Sequence, residues 1–437
     1  MNIQTWKRKN DYKKRYAHFD RRVSLSDVWE YINSPEKVSK HAFYPFIHYQ
    51  KHFNKFNKNQ GIKHKERELC YSAHIDRCVY QYYGYLLNQK YNQRTEKDQT
   101  NSCAIAYRDN LFGKSNVHFA KQAFDFIRQK NNCYIIVGDF TSFFDELEHK
   151  YLKERLVDLF GESLRNDFYA VFKNITKYSI WELSDLLTLN GFEDNLSDID
   201  RLNQKERVLS PIEFKKHKNQ IKRHMDNFGI PQGSAISAVL SNIYMIVFDK
   251  VINEYVKSNY GFYMRYSDDF IIILPNEGVV AFKEQLSFIQ TEINKIPRLI
   301  LQPDKTQLYT YNNTDLVSCT NDFFPEVANS KHCLDYLGFS FDGKIISIRD
   351  KTISKYYYRM YRKLKTIINN DGYTKNGNKI SCRNLYLKYT CKGANEGKGN
   401  FMTYIQRCES VFGKDEAITR STKRHMQKIK KRLDQIK

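Results

Sequence analysis

Apolar positions along this chain change their spacing several times, and each change predicts an element. The first sixty residues are basic and aromatic, with only weak periodicity around SLSDVWEYI. Lys65 to Ala73 alternates charged and small apolar residues as a strand does, and Ile75 to Asn88 then repeats apolar residues at helical spacing. A second helical pattern covers Asn116 to Lys130. Cys133 to Val137 is a short buried-strand signal that ends at Gly138 and Asp139. A helical stretch begins near Glu148, and residues 180–220 then break the pattern with a polar, acidic segment followed by a basic one. That break predicts an insertion or a mobile loop. Pro231 and Gly233 punctuate a turn ahead of a long apolar helix over Ala235 to Val256. Phe262 to Leu274 predicts two strands joined at Asp268 and Asp269, followed by a helix over 278–296 and strand signals at 305–311 and 335–348. The remainder, 351–437, is mostly helical in pattern and very basic.

Composition narrows the class. Hydrophobic residues make up 41% of the 437, an ordinary share for a soluble globular protein, so disorder is not the default. Lysine and arginine number 71 against 49 acidic residues, a formal net charge of +22, which suits a surface that sits on a phosphate backbone. The nine cysteines include no C-x-x-C pair and no zinc-like Cys/His spacing, so they read as free thiols of a reducing cytoplasm. The chain start lacks the apolar core of a signal peptide, and no run approaches the roughly 18 apolar residues of a membrane span. A soluble cytoplasmic protein with no membrane contact is the expectation.

The chemistry centres on three carboxylates. Asp139 ends one apolar strand, and Asp268 and Asp269 sit at the turn of an apolar hairpin. Such carboxylates are costly unless ionised and paired or bound to metal. Two strands carrying them side by side would make a hard-oxygen site suited to Mg²⁺. An isolated Asp-Asp pair reads more simply as a solvated turn, but the flanks YMRY and FIIIL bury this turn's neighbours.

In order and wording these segments resemble the reverse transcriptase family, and specifically its prokaryotic branch of group II intron, retron and defence-associated enzymes. DFTSFFD from Asp139 resembles motif A, GIPQGSAIS from Gly229 motif B, and YSDD from Tyr266 the motif C box. LQPDKT from Leu301 resembles motif D, and YLGF from Tyr336 the primer grip. Upstream, Lys65 to Arg67 with Ile75 to Arg77, and Ser102 through Tyr107 and Arg108, resemble the fingers motifs. The resemblance covers roughly 65–345, and five ordered motifs are far more specific than one.

The resemblance implies an α+β fold, a right-hand polymerase with an RRM-like palm, fingers and a helical thumb. It implies an N-terminal extension and fingers over 1–131, a palm over 132–345 with a fingers-side insertion at about 176–225, and a thumb with a basic tail over 346–437. The reaction implied is RNA-directed DNA synthesis, with dNTPs added to a primer 3′-end through two Mg²⁺ ions, Mn²⁺ being an alternative. Asp139, Asp268 and Asp269 would hold the metals, with Phe140 in both the metal-binding and substrate-binding sets. Phe144 lies five residues after Asp139, where the family carries the aromatic that excludes a 2′-hydroxyl. Phe143, its neighbour, fits core packing better, since neighbours on a strand face opposite ways. Gln232 and Gly233 would approach the nascent base pair, and Lys305 would protonate the leaving pyrophosphate. Lys65 and Arg67 would clamp the triphosphate. Arg108 either contacts template or supports the fingers, and Arg265 is either an ion-pair partner or a substrate contact. The basic tail is either a phosphate-contacting helix or a solvated end.

Within the family, the expectation is an enzyme without a following DNA-binding and endonuclease tail. It would copy a dedicated structured non-coding RNA into cDNA in antiphage defence. A group II intron maturase acting as a splicing cofactor, or a retron-type enzyme, would use the same scaffold. Phe144 and the YSDD box argue against an RNA-dependent RNA polymerase.

Overall fold

The computed structural model describes residues 1–57, 61–302, 305–325, 327, 331–373, 377–380, 382–397 and 399–435. Pro303 and Asp304 of the motif D segment and the last two residues of the tail lie outside the described residues. Early in the chain come strands β1 (Phe46–Gln50), β2 (Phe53–Asn57), β3 (Gly61–Lys65) and β4 (Glu68–Tyr71). β2 and β3 pair as a hairpin, while β1 pairs antiparallel with β4. Helix α1 (His74–Lys97) extends well past the predicted pattern, and α2 (Asn116–Lys130) matches it. Asn131, in the left-handed region at φ 60°, ends α2 and turns the chain into β5 (Asn132–Asp139).

After α3 (His149–Phe160) and α4 (Asn166–Thr176), the 180–220 stretch is structured rather than a loop. It holds α5 (Leu183–Leu189), α6 (Leu196–Leu202) and α7 (Pro211–His217) between β6 (Ser179–Glu182) and β7 (Lys222–Arg223). β6 runs parallel to β1 with Trp181 opposite Ile47, and β7 pairs with β6. Trp181, Leu186, Leu187, Leu202 and Val208 form a small core with Ala17, Phe19 and Ile47. Each of these helices is seven residues long, too short for its apolar face to repeat, which is why the sequence pattern there is broken.

The predicted long helix over 235–256 is two helices, α8 (Ser237–Tyr244) and α9 (Ile246–Ser258), parted at Met245 without a Gly or Pro to mark the break. Then follow β8 (Phe262–Tyr266), β9 (Asp269–Pro275), α10 (Val279–Asn294), β10 (Gln307–Asn312) and β11 (Asp315–Ser318). A small sheet of β12 (Leu334–Tyr336), β13 (Phe339–Phe341) and β14 (Ile346–Ile348) leads into α11 (Asp350–Asn369), α12 (Cys382–Tyr389), α13 (Phe401–Phe412) and α14 (His425–Leu433).

The central sheet has the order β11-β10-β5-β9-β8 with antiparallel neighbours throughout. Setting aside the edge strand β11, this is the order of a βαββαβ unit, with its first and third strands adjacent at the centre. Both faces are covered. Tyr134, Ile136, Phe270, Ile272 and Leu274 join the core built with α1, α8, α9 and α10. Cys133, Ile135, Met264, Ile271 and Ile273 join the core built with α2, β12 to β14 and α11 to α14. Burial on both sides is why β5 and β9 read as continuous apolar runs instead of alternating ones. Among the described residues no helix is long and apolar enough to cross a membrane.

Candidate active site

Parity along the strands decides where the carboxylates stand. On β5, Cys133, Ile135 and Val137 pack on the α2 side of the sheet, and Asp139 follows at the same parity. On β9, Ile271 and Ile273 pack on that side too, with Asp269 two residues earlier. The register sets Asp139 directly opposite Asp269, so two carboxylates share one face at one end of the sheet. Gly138 must lack a side chain, because a Cβ there would run into the ring of Phe270 on the neighbouring strand. Phe140 N–H donates to the Asp268 carbonyl at 3.2 Å and ties the two strand ends together.

The β8–β9 connection holds Asp268 in place. Ser267 adopts φ 63°, a left-handed conformation that favours glycine, so something must hold it there. Arg265 Nη1 donates to the Ser267 carbonyl at 2.8 Å, and the Tyr107 hydroxyl lies 3.1 Å from Ser267 Oγ. Arg265 is itself buried in an ion pair with Asp249 at 2.5 Å, and Tyr263 donates to the same carboxylate at 2.7 Å. Arg265 is therefore an ion-pair partner that braces the turn. Its backbone also exchanges hydrogen bonds with Cys103 and Ile105, which carries the segment before Tyr107 up to the turn.

Electrostatics at this end of the sheet are those of crowded like charges. Burial, then the charge of Asp139, raises the Asp268 carboxyl. Asp269 lies exposed at the strand end, with its carboxyl beside those of Asp139 and Asp268. Desolvation, then the Asp268 and Asp139 charges, push it up to about 7. The Lys305 ammonium sits 2.5 Å from Asp139 Oδ1. Gln302 N–H donates to the Asp139 carbonyl and Lys305 N–H to the Gln302 carbonyl, which sets the lysine beside the strand end. Among the described residues no three acidic, imidazole or thiol groups already close into a cage for an ion. The donor set nevertheless fits a hard cation: three carboxylates repel one another, and an ammonium already stands in for positive charge at one of them.

Phe143 and Phe144 sit on a short 3₁₀ turn over Phe143–Glu146 rather than on a strand. Phe143 is buried against Phe140 as expected, while Phe144 stays half-buried. The Gly229–Gly233 turn is laced to this segment, with Ile230 N–H donating to the Phe144 carbonyl at 3.0 Å. Gln232 Nε2 lies 3.1 Å from both carboxylate oxygens of Asp145. Burial raises the Asp145 carboxyl, and the Gln232 donor partly offsets this. Gly233, at φ 115°, lies where a Cβ would strike the Cys70 carbonyl oxygen.

The model of one protein family, "Reverse transcriptase (RNA-dependent DNA polymerase)", matches residues 86–341, more than half of the chain. The chain belongs to the reverse transcriptase family. Family and topology together give an α+β fold of the right-hand polymerase kind. Solved structures similar to this reverse transcriptase include apo telomerase from Candida tropicalis truncated from its C-terminal domain. That match has 14% identity and a TM-score of 0.40, covering 78% of this chain and 64% of that one. Another structure of apo telomerase from Candida tropicalis matches at 12% identity and a TM-score of 0.42, covering 98% and 73%. Candida albicans telomerase in complex with a fragment of telomeric RNA matches at 11% and 0.41, covering 99% and 72%. The chain thus spans less than two thirds of the first of these. No curated protein matches.

Within this reverse transcriptase the expected residues separate into groups. Asp139, Asp268, Asp269 and Lys305 come together at the sheet end, and Phe144, Gln232 and Gly233 meet at the laced turn. Phe140 reaches the site through its backbone alone, since its side chain stacks on Phe270 in the core. Arg108 is a structural brace: its guanidinium donates to Asn92, Thr95, Asn101 and Ala104, which uses all five N–H groups and leaves none for substrate. Lys65 ends β3 and Arg67 precedes β4, and among the described residues neither side chain is joined to the aspartates by a hydrogen bond or ion pair. β4 does reach the site through Cys70 N–H, which donates to the Gln232 carbonyl at 2.9 Å. The sequence alone assigned no role to Tyr107, Asp145 or Asp249. Asp145 closes the DFTSFFD motif and Tyr107 precedes Arg108, so motif membership was the available signal.

Proposed function

We propose that this reverse transcriptase catalyses RNA-directed DNA synthesis, transferring a deoxynucleotide from its triphosphate to a primer 3′-end. The observation that carries the reading is the register of Asp139 opposite Asp269 with Asp268 in the adjoining turn. Asp139, Asp268 and Asp269 would hold two Mg²⁺ ions, whose chemistry would be to lower the pKa of a 3′-hydroxyl and to steady the leaving oxygen. The chain's own groups do the rest. The primer 3′-hydroxyl gives its proton to solvent water as its oxygen forms a bond to the α-phosphorus, the bond from that phosphorus to the bridging oxygen breaks, and pyrophosphate leaves. Lys305 is the proton donor to that leaving group, releasing the Asp139 carboxylate as it turns away. Phe144 sits under the sugar and excludes a 2′-hydroxyl.

Primer extension on a defined RNA template with dNTPs and Mg²⁺ is the test. Wild-type protein should extend the primer, while folded Asp139→Asn and Asp268→Asn should not. Near-normal extension by either variant would defeat the reading.

The finer reading is a prokaryotic, cytoplasmic enzyme of the defence-associated branch, with an N-terminal extension and fingers over 1–131, a palm over 132–345 carrying a fingers-side insertion at about 176–225, and a thumb with a basic tail over 346–437. It would copy one dedicated structured RNA into cDNA during antiphage defence. Support comes from the net charge of +22 and from the folded 179–223 unit, which adds surface beyond the polymerase motifs. Structured RNA is read by shape, aromatic stacking and 2′-hydroxyl contacts, all of which extra surface provides. Expression with native flanking DNA, phage challenge and sequencing of bound RNA should return one enriched RNA and protection that needs Asp268 and Asp269. Even binding across transcripts, or protection without the aspartates, would remove the defence reading.

A further inference from the structure

Leu337 and Gly338 join β12 to β13, and both have positive φ, 46° and 95°. A two-residue hairpin turn with that twist is normally opened by Asn, Asp or Gly. Leucine is a poor fit, because its Cβ crowds the backbone in the left-handed region, so something must hold it there. Groups from three other elements do so. Asn116 Nδ2 donates to the Leu337 carbonyl at 3.0 Å, and Arg349 N–H, at the start of α11, donates to the Gly338 carbonyl at 3.1 Å. Beside the turn, the Tyr336 hydroxyl donates to the Met264 carbonyl of β8 at 3.3 Å. Asn116 opens α2, but Ser115 and His118 already cap that helix, which leaves the amide for another task. Nδ2 has a second hydrogen, and the Tyr404 hydroxyl of α13 accepts it at 3.3 Å. One amide thus joins α2, the turn and α13. The junction lies on the face of the central sheet that carries Asp139 and Asp269, where Leu337 packs on the core shared by α2, β12 to β14 and α11 to α14.

We propose that Asn116 is a positioning residue that holds the Leu337–Gly338 turn in its left-handed form and, through Tyr404, fixes the spacing between the aspartates and the C-terminal helices. The proposal rests on the polymerase reading above. With the primer 3′-oxygen at the aspartates, the duplex behind it leaves along the face that carries α11 to α14. It therefore spans the central sheet on one side and those helices on the other, and their spacing decides how firmly it is held. Asn116 touches neither nucleotide nor metal. Its effect falls on the residence of the template–primer and leaves nucleotide binding alone.

The experiment follows extension of oligo(dT) on poly(rA), with KM measured separately for the template–primer and for dTTP, and product length measured with a heparin trap. Asn116→Ala should raise KM for the template–primer by about two- to tenfold, the range that one neutral hydrogen bond supplies. Products should shorten, while KM for dTTP stays at the wild-type value. Tyr404→Phe removes one hydroxyl and should act in the same direction more weakly, which keeps the proposal testable if Asn116→Ala does not fold. Leu337→Gly is the control that separates holding the turn from general packing. Glycine enters the left-handed region without steric cost, so Asn116→Ala should cost less in that background than in wild type, whatever Leu337→Gly costs alone. Equal losses in the two backgrounds, or a KM for dTTP that rises as much as that for template–primer, would overturn the positioning role. Wild-type product length in Tyr404→Phe would overturn the link to α13. Wild-type protein that extends no primer would instead overturn the polymerase reading, and this proposal with it.

Discussion

At the scale of single residues, the two carboxylates where β8 turns into β9 work against the stability of the fold. Asp268 and Asp269 both hold their protons more tightly in the folded chain than in the unfolded one. A raised carboxyl contributes its stability below the unfolded value of about 3.8, and that contribution is lost as pH rises towards the folded value, about 7 for Asp269. The molecule should therefore lose stability through that window, opposite to the usual behaviour of paired carboxylates. Asp268→Asn removes one like charge and should raise the melting temperature at pH 8, with the gain shrinking towards pH 5. Mg²⁺ should stabilise wild type by mass action and the variant less. A variant that melts no higher than wild type at pH 8, or responds equally to Mg²⁺, would show that the repulsion is not there. Phe144 supplies a second prediction at this scale. It is half-buried where Phe143 is buried, so Phe144→Ala should admit ribonucleotides in NTP/dNTP competition while leaving more dNTP activity than an aspartate change. Unchanged sugar discrimination would return Phe144 to core packing.

At the scale of elements, the turn bearing Asp268 is only as well placed as the side chains behind it. Arg265 couples α9, through Asp249, to the strained Ser267. Removing one member of a buried, fully hydrogen-bonded pair leaves the other charge stranded, at a cost of about 3–5 kcal/mol. Asp249→Ala should therefore lower the urea midpoint strongly and reduce primer extension, although Asp249 lies on a helix behind the sheet. A variant with normal stability and activity would show that the turn is held by other means. Little of this was legible in the sequence. β5 and β9 were, because a strand buried on both faces reads as an uninterrupted apolar run, and so was α2, whose face repeats over four turns. The break at Met245 was not, since no residue there marks it, and neither was the small core around Trp181, whose helices are too short to show a period. Site residues that belong to motifs were found by order and spacing, but the separate tasks of Arg108 and Arg265 depend on partners far away in sequence. The tail shows the same limit. Lys428 and Arg432 read as solvent or phosphate cations, yet they lie over Tyr357 and Tyr361 of α11, four residues apart on both helices.

At the scale of the whole molecule, a charge of +22 matters for where it is left unpaired. Along α11, Lys355, Arg359, Arg362 and Lys363 recur at helical spacing on one side of a groove of about 700 Å³. Lys388, Tyr389 and Phe401 line the rest of the groove, and no carboxylate does. Among the described residues none of these five cations is engaged in an ion pair, whereas Lys428 and Arg432 are held by tyrosine rings. Cations that neutralise phosphates release condensed counterions, so affinity for an RNA–DNA duplex should fall linearly on a log–log plot against salt. Replacing Lys355, Arg359, Arg362 and Lys363 by Gln should make that slope shallower, by about 0.9 for each phosphate no longer neutralised if the duplex behaves as B-form DNA does. Affinity should drop by a similar factor for unrelated sequences, because the phosphate backbone carries no base information. Fluorescence anisotropy across a salt series measures both quantities. A slope equal to that of wild type would mean that these cations face solvent in the bound state. Phosphate binding would then have to be sought on Lys430 and Lys431, exposed cations of α14 that no aromatic ring holds among the described residues.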